Sequence, residues 1–371
     1  MTGPAPRHVL MTTDAVGGVW TYALDLAEGL MRRGVAVTLA VLGPEPRPGQ
    51  RRAAERIPGL SLVMTGLPLD WTADDAGALA DAARGVAALA SERGADLVHL
   101  NSPALAGCAR FPAPVIGVCH SCLASWWDAV RGDEPMPLSF RWRTDLLARG
   151  YAACDRLIAP SYAFMQTTAA LYGVVPHTVH NGRAASRAAG AGAREPVVMT
   201  SGRLWDDGKN IRTLDRAAGR MRGPVHAAGP LTGPDGQSVS LEHILALGQL
   251  DATALAADLQ RSAVFASLAH YEPFGLGVLE AAQAGCALVL SDIPTFRELW
   301  QGAAVFVPAD DDRAAAEVLD DLLDDPDRAA TLGRAAADRA ARFTTDALTD
   351  GVLAVYAEAI GARAPLPEVA A

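Results

Sequence analysis

Glu272 and Glu280 flank a Pro-Phe-Gly-Leu-Gly turn in His270-Tyr271-Glu272-Pro273-Phe274-Gly275-Leu276-Gly277-Val278-Leu279-Glu280-Ala281-Ala282. Pro273 disfavours helix at Glu272 yet is tolerated in a first turn, so the stretch reads as a loop opening into a helix near Gly275. The unpaired amides and positive dipole end of such a helix make an anion site. The glycines let a phosphate approach the backbone. A diphosphate at this helix start has one carboxylate before it and one between one and two turns on: one to hold a sugar, one to hold a ribose. The plain alternative is a simple turn followed by a glutamate that solvates an exposed helix face.

A second loop, Ser201-Gly202-Arg203-Leu204-Trp205-Asp206-Asp207-Gly208-Lys209-Asn210, follows an apolar run. Arg203 offers a planar fork for phosphate oxygens and Lys209 a mobile point charge. Lys209 is the only lysine among the 32 lysines and arginines of the chain, which makes its position informative. Asn210 is placed to cap the next helix. The competing reading is a solvated surface pair. Two weaker signals lie earlier. Gly17-Gly18 sits between a strand and a helix without a G-x-G-x-x-G fingerprint, and is either a ligand loop or an ordinary tight turn. His120 ends an apolar strand, where it either donates a hydrogen bond to a sugar hydroxyl or phosphate, or packs beside Cys119 and Cys122.

Alternating strands and helices must position these residues. His8–Met11 reads as a strand, and the spacing of Trp20, Ala23, Leu24, Ala27, Leu30 and Met31 as one buried helix face ending at Gly34. Val35–Val41, Asp96–Leu100, Pro114–Cys119, Arg156–Ala159 and Val174–Val179 are further predicted strands. Helices are expected from Thr72, as cap, to about Arg93, from about Phe140 to Ala153, and after Ser161. Such alternation means a parallel sheet with helices on both faces. Arg183–Arg194 has no periodicity and reads as a linker. A second series follows, with strands at Pro196–Thr200, Val225–Ala228, Val264–Ser267, Cys286–Leu290 and Ala304–Val307, then two or three helices from Asp311 to about Ile360. The prediction is an α/β protein of two Rossmann-like domains facing across a cleft. Residues 1–182 form one domain and 195–345 the other; 346–371 are a C-terminal helix packing back across the junction, with a mobile tail.

Gly202-Arg203 with Lys209, followed by Glu272-Pro273-Phe274-Gly275 with Glu280, resembles the signature of the retaining nucleotide-sugar glycosyltransferases of family 4, which have the two-domain GT-B architecture. The resemblance runs from Val9 to about Ile360. It implies that Arg203 and Lys209 neutralise a departing diphosphate and that the amides of Phe274, Gly275 and Leu276 cradle the distal phosphate and sugar. By the same resemblance Glu272 lies near the sugar hydroxyls, Glu280 binds the ribose and Leu250 falls where backbone meets the base. Gly229 matches a loop near the diphosphate, Gly17 and Gly18 match the family's N-terminal glycine loop, and His120 matches the histidine that approaches the sugar. Catalytic roles thus fall on His120, Glu272, Arg203 and Lys209. Fixed cations and helix-start amides stabilise leaving-group charge in a dry cleft, without metal or cofactor. Asp310-Asp311-Asp312 reads as a helix-capping run. Retention is expected by front-face displacement, since no carboxylate is obviously placed as a nucleophile.

The chain has 371 residues, half of them hydrophobic and a net charge of −10, which suits two folded domains and argues against nucleic acid as a partner. The N-terminus lacks a signal-peptide core and no apolar run has the length of a membrane span, so the expected location is the cytoplasm. Five cysteines, an odd number, fit reduced thiols, and Cys119-His120-Ser121-Cys122 reads as packing around a strand end. The expected partners are a nucleotide-sugar donor, a uridine diphosphate sugar first, and a hydroxyl acceptor on a glycan, a lipid-linked molecule or a small molecule. Trp126, Trp127, Arg131, Arg141, Trp142 and Arg143 either line an acceptor groove or pack helices. The helix near Phe140–Gly150 is the candidate for a transient membrane-surface contact. A nucleotide-sugar 2-epimerase and a non-catalytic sugar-nucleotide-binding protein are the alternatives. A glycogen-type phosphorylase would need a lysine for its cofactor, and the one lysine is already assigned.

Overall fold

The computed structural model describes residues 5–132, 134–184, 194–234 and 236–363. The chain divides into two compact units: Met1–Ser125 with Glu134–Gly182 and Thr345–Ala371, and Trp126–Asp133 with Arg183–Thr344. The sequence-based boundary at 182 therefore differs for residues 126–133, which group with the second unit.

In chain order the first series is β1 (His8–Thr13), α1 (Gly18–Arg32), β2 (Ala36–Val41), α2 (Pro48–Glu55), β3 (Ser61–Met64), α3 (Ala76–Glu92) and β4 (Leu97–Leu100). It continues through β5 (Val115–Val118), α4 (Leu123–Arg131), α5 (Arg141–Ala153), β6 (Arg156–Ala159), α6 (Tyr162–Tyr172) and β7 (His177–Thr178). The strands are parallel, in the order β3-β2-β1-β4-β5-β6-β7. The second series is β8 (Glu195–Ser201), α7 (Ile211–Ala218), β9 (Val225–Ala228), β10 (Leu245–Gly248), α8 (Ala252–Arg261), β11 (Ser262–Ser267) and α9 (Leu276–Gln283). β12 (Ala287–Ser291), α10 (Pro294–Trp300), β13 (Val305–Val307), α11 (Asp312–Asp324) and α12 (Pro326–Ala340) complete it, and α13 (Thr345–Arg363) returns to the first unit. Its sheet is also parallel, in the order β10-β9-β8-β11-β12-β13. Each unit is Rossmann-like.

The period of two along a strand builds two cores in the second unit. Val198, Val264 and Val289 face a core with Leu214 and Leu319. Their neighbours Met199, Phe265, Leu288 and Leu290 face the other with Leu279 and Trp300. In the first unit Leu348, Val352, Val355 and Tyr356 of α13 join the core of α1 and the sheet. Gly29 permits that approach, since a Cβ there would overlap the Thr349 side chain. Among the described residues no helix is long and apolar enough to cross a membrane.

Each sheet reverses strand order once, between β1 and β4 and between β8 and β11. Ligand crevices form outside the carboxyl ends of strands at such a switch point. The Gly17-Gly18 loop follows β1, while the Arg203–Lys209 and His270–Gly275 loops follow β8 and β11.

Local expectations fail where another group competes. Asp75, not Thr72, caps α3, accepting from the Ala78 amide at 2.9 Å, while the Thr72 hydroxyl binds the Leu69 amide at 3.0 Å. β7 shrinks to two residues because Pro176 offers no amide hydrogen to the ladder. α2, β3 and β10 escaped notice, being short and, in β10, largely exposed. Most of the expected linker, 185–193, and nearly all of the tail, 364–371, lie outside the described residues.

Candidate functional site

The loop after β8 holds its shape through Asp206. Its carboxylate accepts from the Gly208 amide and the Trp126 indole, each at 2.9 Å, and from Arg203 at 2.8 Å. Burial pushes the Asp206 carboxyl up, but Arg203 and Lys209, with those hydrogen bonds, outweigh it and hold it below the usual carboxylate range. The Gly208 carbonyl then accepts from the amides of His270 at 3.0 Å and Tyr271 at 3.2 Å, which fastens this loop to the one after β11. Lys209 forms an ion pair with Glu272 in that second loop. Asn210 stands at the start of α7 in a left-handed conformation, φ 52°, and does not cap the helix amides. Its side chain donates instead to the carbonyls of Leu268 at 2.9 Å and Ala309 at 2.8 Å.

Glycine makes the loops' close approach possible. Gly229 has φ 145°, and a Cβ there would lie 1.8 Å from the Gly202 carbonyl oxygen. Gly275 takes φ 93° at the start of α9, where only glycine adopts the left-handed geometry at little cost. Phe274 is buried against Phe343, ring centroids 5.6 Å apart, and anchors the turn from below.

Arg203, Lys209, Glu272 and the residues Phe274, Gly275 and Leu276 thus converge at the carboxyl end of the second sheet's two central strands. Both cations are paired with carboxylates, yet each keeps further N–H donors for an anion. Glu280 lies along α9 and pairs with Arg183, beside a cavity of about 280 Å³ that Leu255 and Leu259 also line. Leu250 packs its side chain against the core containing Leu259 and Phe265, which leaves its backbone at the end of β10. Trp126 and Arg131, candidates for an acceptor groove, bind Asp206 and Asp207, the latter at 2.8 Å. Arg143 stacks over Trp142 and donates to the Ala73 carbonyl at 2.9 Å. Asp311 caps α11 as the acidic run suggested, accepting from Ala314 at 2.9 Å.

Gly17, Gly18 and His120 belong to the first unit. Gly17 precedes α1 and Gly18 begins it, at the carboxyl end of β1. His120 follows β5, half-buried, with its Nε2 2.7 Å from Asn101 Oδ1 and its ring edge-on to Tyr22. Burial holds its imidazole well below the usual histidine range. Asp206, Arg183 and Asn101 went unnoticed as site residues. Only Asp206, inside the cation loop, carried a local signal. Among the described residues no group of three or more His, Cys, Asp or Glu side chains is placed to hold a metal ion.

Residues 16–187 match the family model described as Glycosyltransferase Family 4, and 237–339 match that described as Glycosyl transferases group 1. The chain is 29% identical over 418 residues to the D-inositol 3-phosphate glycosyltransferase of Kineococcus radiotolerans, covering 95% of this chain and 93% of that one. It is 36% identical over 125 residues to the phosphatidyl-myo-inositol mannosyltransferase of Mycolicibacterium smegmatis, covering 32% of each. Sucrose-phosphate synthase from Thermosynechococcus elongatus superposes with a TM-score of 0.79 at 19% identity, over 96% of this chain and 100% of that one. Anabaena HepE in complex with UDP-glucose superposes with a TM-score of 0.73 at 17% identity, over 95% and 99%. These likenesses at low identity establish the fold.

Proposed function

Because the chain belongs to glycosyltransferase family 4, we propose that it moves a hexose from a nucleoside diphosphate sugar to a hydroxyl acceptor with retention at the anomeric carbon and without a metal ion. Breaking the bond between sugar and diphosphate builds negative charge on the leaving group and positive charge on the anomeric carbon. Arg203, Lys209 and the first amides of α9 are the groups to stabilise that negative charge, preorganised so that little rearrangement accompanies the reaction. Glu272, paired with Lys209, orients the ammonium and reaches the sugar hydroxyls. Glu280 and Arg183 bound the ribose side. His120 serves a sugar hydroxyl. The departing phosphate takes the acceptor's proton on the same face. The observation that carries this reading is that the only lysine of the chain pairs with Glu272 beside the left-handed turn into α9, at the sheet's switch point.

Uridine diphosphate is the first choice of carrier, in keeping with HepE and its UDP-glucose. The acceptor is a glycan, lipid-linked or small-molecule hydroxyl; the name of the Kineococcus relative makes inositol phosphate the first small molecule to try. The five free cysteines suit a reducing cytoplasm. A thermal-shift series of uridine, guanosine and adenosine diphosphates and their sugars identifies the donor, because a ligand of the native state raises the melting temperature. With that donor, an acceptor panel and a chelator, proton NMR of the product is expected to show the donor's anomeric configuration with turnover undiminished. An inverted product, or epimerised donor formed without acceptor, overturns the proposal.

A further inference from the structure

His120 sits at the end of a buried polar chain inside the first unit. Thr12 fixes Asn101 from two directions: the Asn101 backbone amide donates to Thr12 Oγ1 at 2.9 Å, and Asn101 Nδ2 donates to the Thr12 carbonyl at 2.7 Å. Turning the amide over would set two oxygens against each other, so Oδ1 must face His120 Nε2, 2.7 Å away. An amide oxygen only accepts, and therefore Nε2 carries the proton. In a neutral imidazole the lone pair then lies on Nδ1. Among the described residues nothing in the protein bonds Nδ1, and it is not a sealed polar atom.

The surroundings favour the neutral ring. Tyr22 of α1 meets it edge-on with centroids 4.6 Å apart. Behind it His99 of β4 is fully buried, with the hydroxyl of Tyr356 from α13 at 2.8 Å from its Nδ1 and that of Tyr22 at 3.5 Å from its Nε2. Burial, and the nearby His120, hold the His99 imidazole neutral as well.

We propose that Asn101 is a positioning residue that locks His120 in the Nε2–H tautomer, so that His120 offers Nδ1 as an acceptor to a hydroxyl of a sugar or polyol. A phosphate oxygen brings only lone pairs at neutral pH and would be repelled there. The expectation that His120 donates to a sugar hydroxyl or phosphate is thereby reversed in polarity. The choice of ligand rests on the proposed glycosyltransferase reaction, but the tautomer does not.

Long-range proton–nitrogen correlation spectra of the histidine-labelled full chain read the tautomer directly, with the His120 signals identified by their loss in His120→Gln. The expected wild-type pattern is Nε2–H alone. Asn101→Leu is expected to give a mixture or Nδ1–H, and Asn101→Asp, which keeps an acceptor oxygen in place, to restore Nε2–H. Nδ1–H in the wild type, or a pattern in Asn101→Leu identical to the wild type, overturns the proposal. The wild-type spectrum decides even if neither variant folds. Uridine diphosphate glucose is then added at a concentration that raises the melting temperature, and is expected to shift Nδ1 where uridine diphosphate does not. An equal shift with both, or none with the sugar nucleotide, overturns the hydroxyl assignment.

Discussion

Lys209 is where the chemistry concentrates. Its ion pair with Glu272 is part-buried, so removing it costs some stability, while the charge it supplies to a leaving diphosphate is irreplaceable by water. Lys209→Ala is expected to lower kcat by roughly 10²–10³-fold, as removal of one preorganised stabilising group does, with the fold kept and the melting temperature only modestly lowered. Steady-state kinetics beside thermal unfolding checks this, and full activity in the variant removes the phosphate clamp. Two aspartates make stability depend on pH in opposite senses. The Asp206 carboxyl is held below its unfolded value, so its contribution is present above the ordinary carboxylate range and lost as pH falls through the folded value. Asp206→Asn should lower the melting temperature at neutral pH and flatten its acid decline. Asp70 works the other way: burial, with Asp14 adding to it, raises its carboxyl to about 6. Its ionisation opposes folding at neutral pH and the penalty disappears on acidification, so Asp70→Asn is expected to raise the melting temperature only above that range.

Strand ends and the loops they release decide whether these side chains meet. Gly202 and Gly229 touch backbone to backbone, and the Gly202 amide donates to the Ala228 carbonyl at 3.0 Å. Gly229→Ala combines a positive φ with a collision against the Gly202 carbonyl oxygen and should cost about 2–3 kcal/mol. Gly34→Ala is the control, since φ is +81° there but nothing lies within 4 Å of the added methyl, and about 1 kcal/mol is expected. Denaturant midpoints of the two variants give the comparison; equal costs would mean that the loops do not need their close contact. Which residue caps which helix is also decided at this scale. The sequence offers Thr72 as the cap, and only the path of the chain shows that Thr72 serves Leu69 while Asp75 caps α3.

Across the molecule, the last helix belongs to the first unit although the second unit precedes it. Leu348, Val352, Val355 and Tyr356 are essentially buried, and Arg33 pairs with Asp350 at 2.6 Å on the rim. Burying one such apolar side chain contributes about 1.5–3 kcal/mol, so losing all of them approaches the whole stability of a domain. Deleting residues 345–371 is therefore expected to unfold the first unit and leave the second with its own cooperative transition. Differential scanning calorimetry of the shortened chain checks this, and two intact transitions would contradict the packing of α13.

Most strands and helices, though not the short α2, β3 and β10, were legible in the amino acids, as were the glycine turns, the Arg203 and Lys209 loop and the Glu272 turn. Each follows from short-range causes: apolar periodicity, proline and glycine dihedrals, and polar residues at strand ends. Partners were not legible. Lys209 meets Glu272 across 63 residues, Trp126 meets Asp206 across 80, and Tyr356 meets His99 across 257. The amino acids determined which groups stand at the carboxyl ends of the strands. Tertiary structure alone decided that Asp206 is the hub of the cation loop, that Glu280 pairs with Arg183, and that Asn101 faces Nε2 of His120. The reason is physical: a side-chain hydrogen bond depends on positions set to a few tenths of an ångström by the packing of distant segments, and no local preference carries that information.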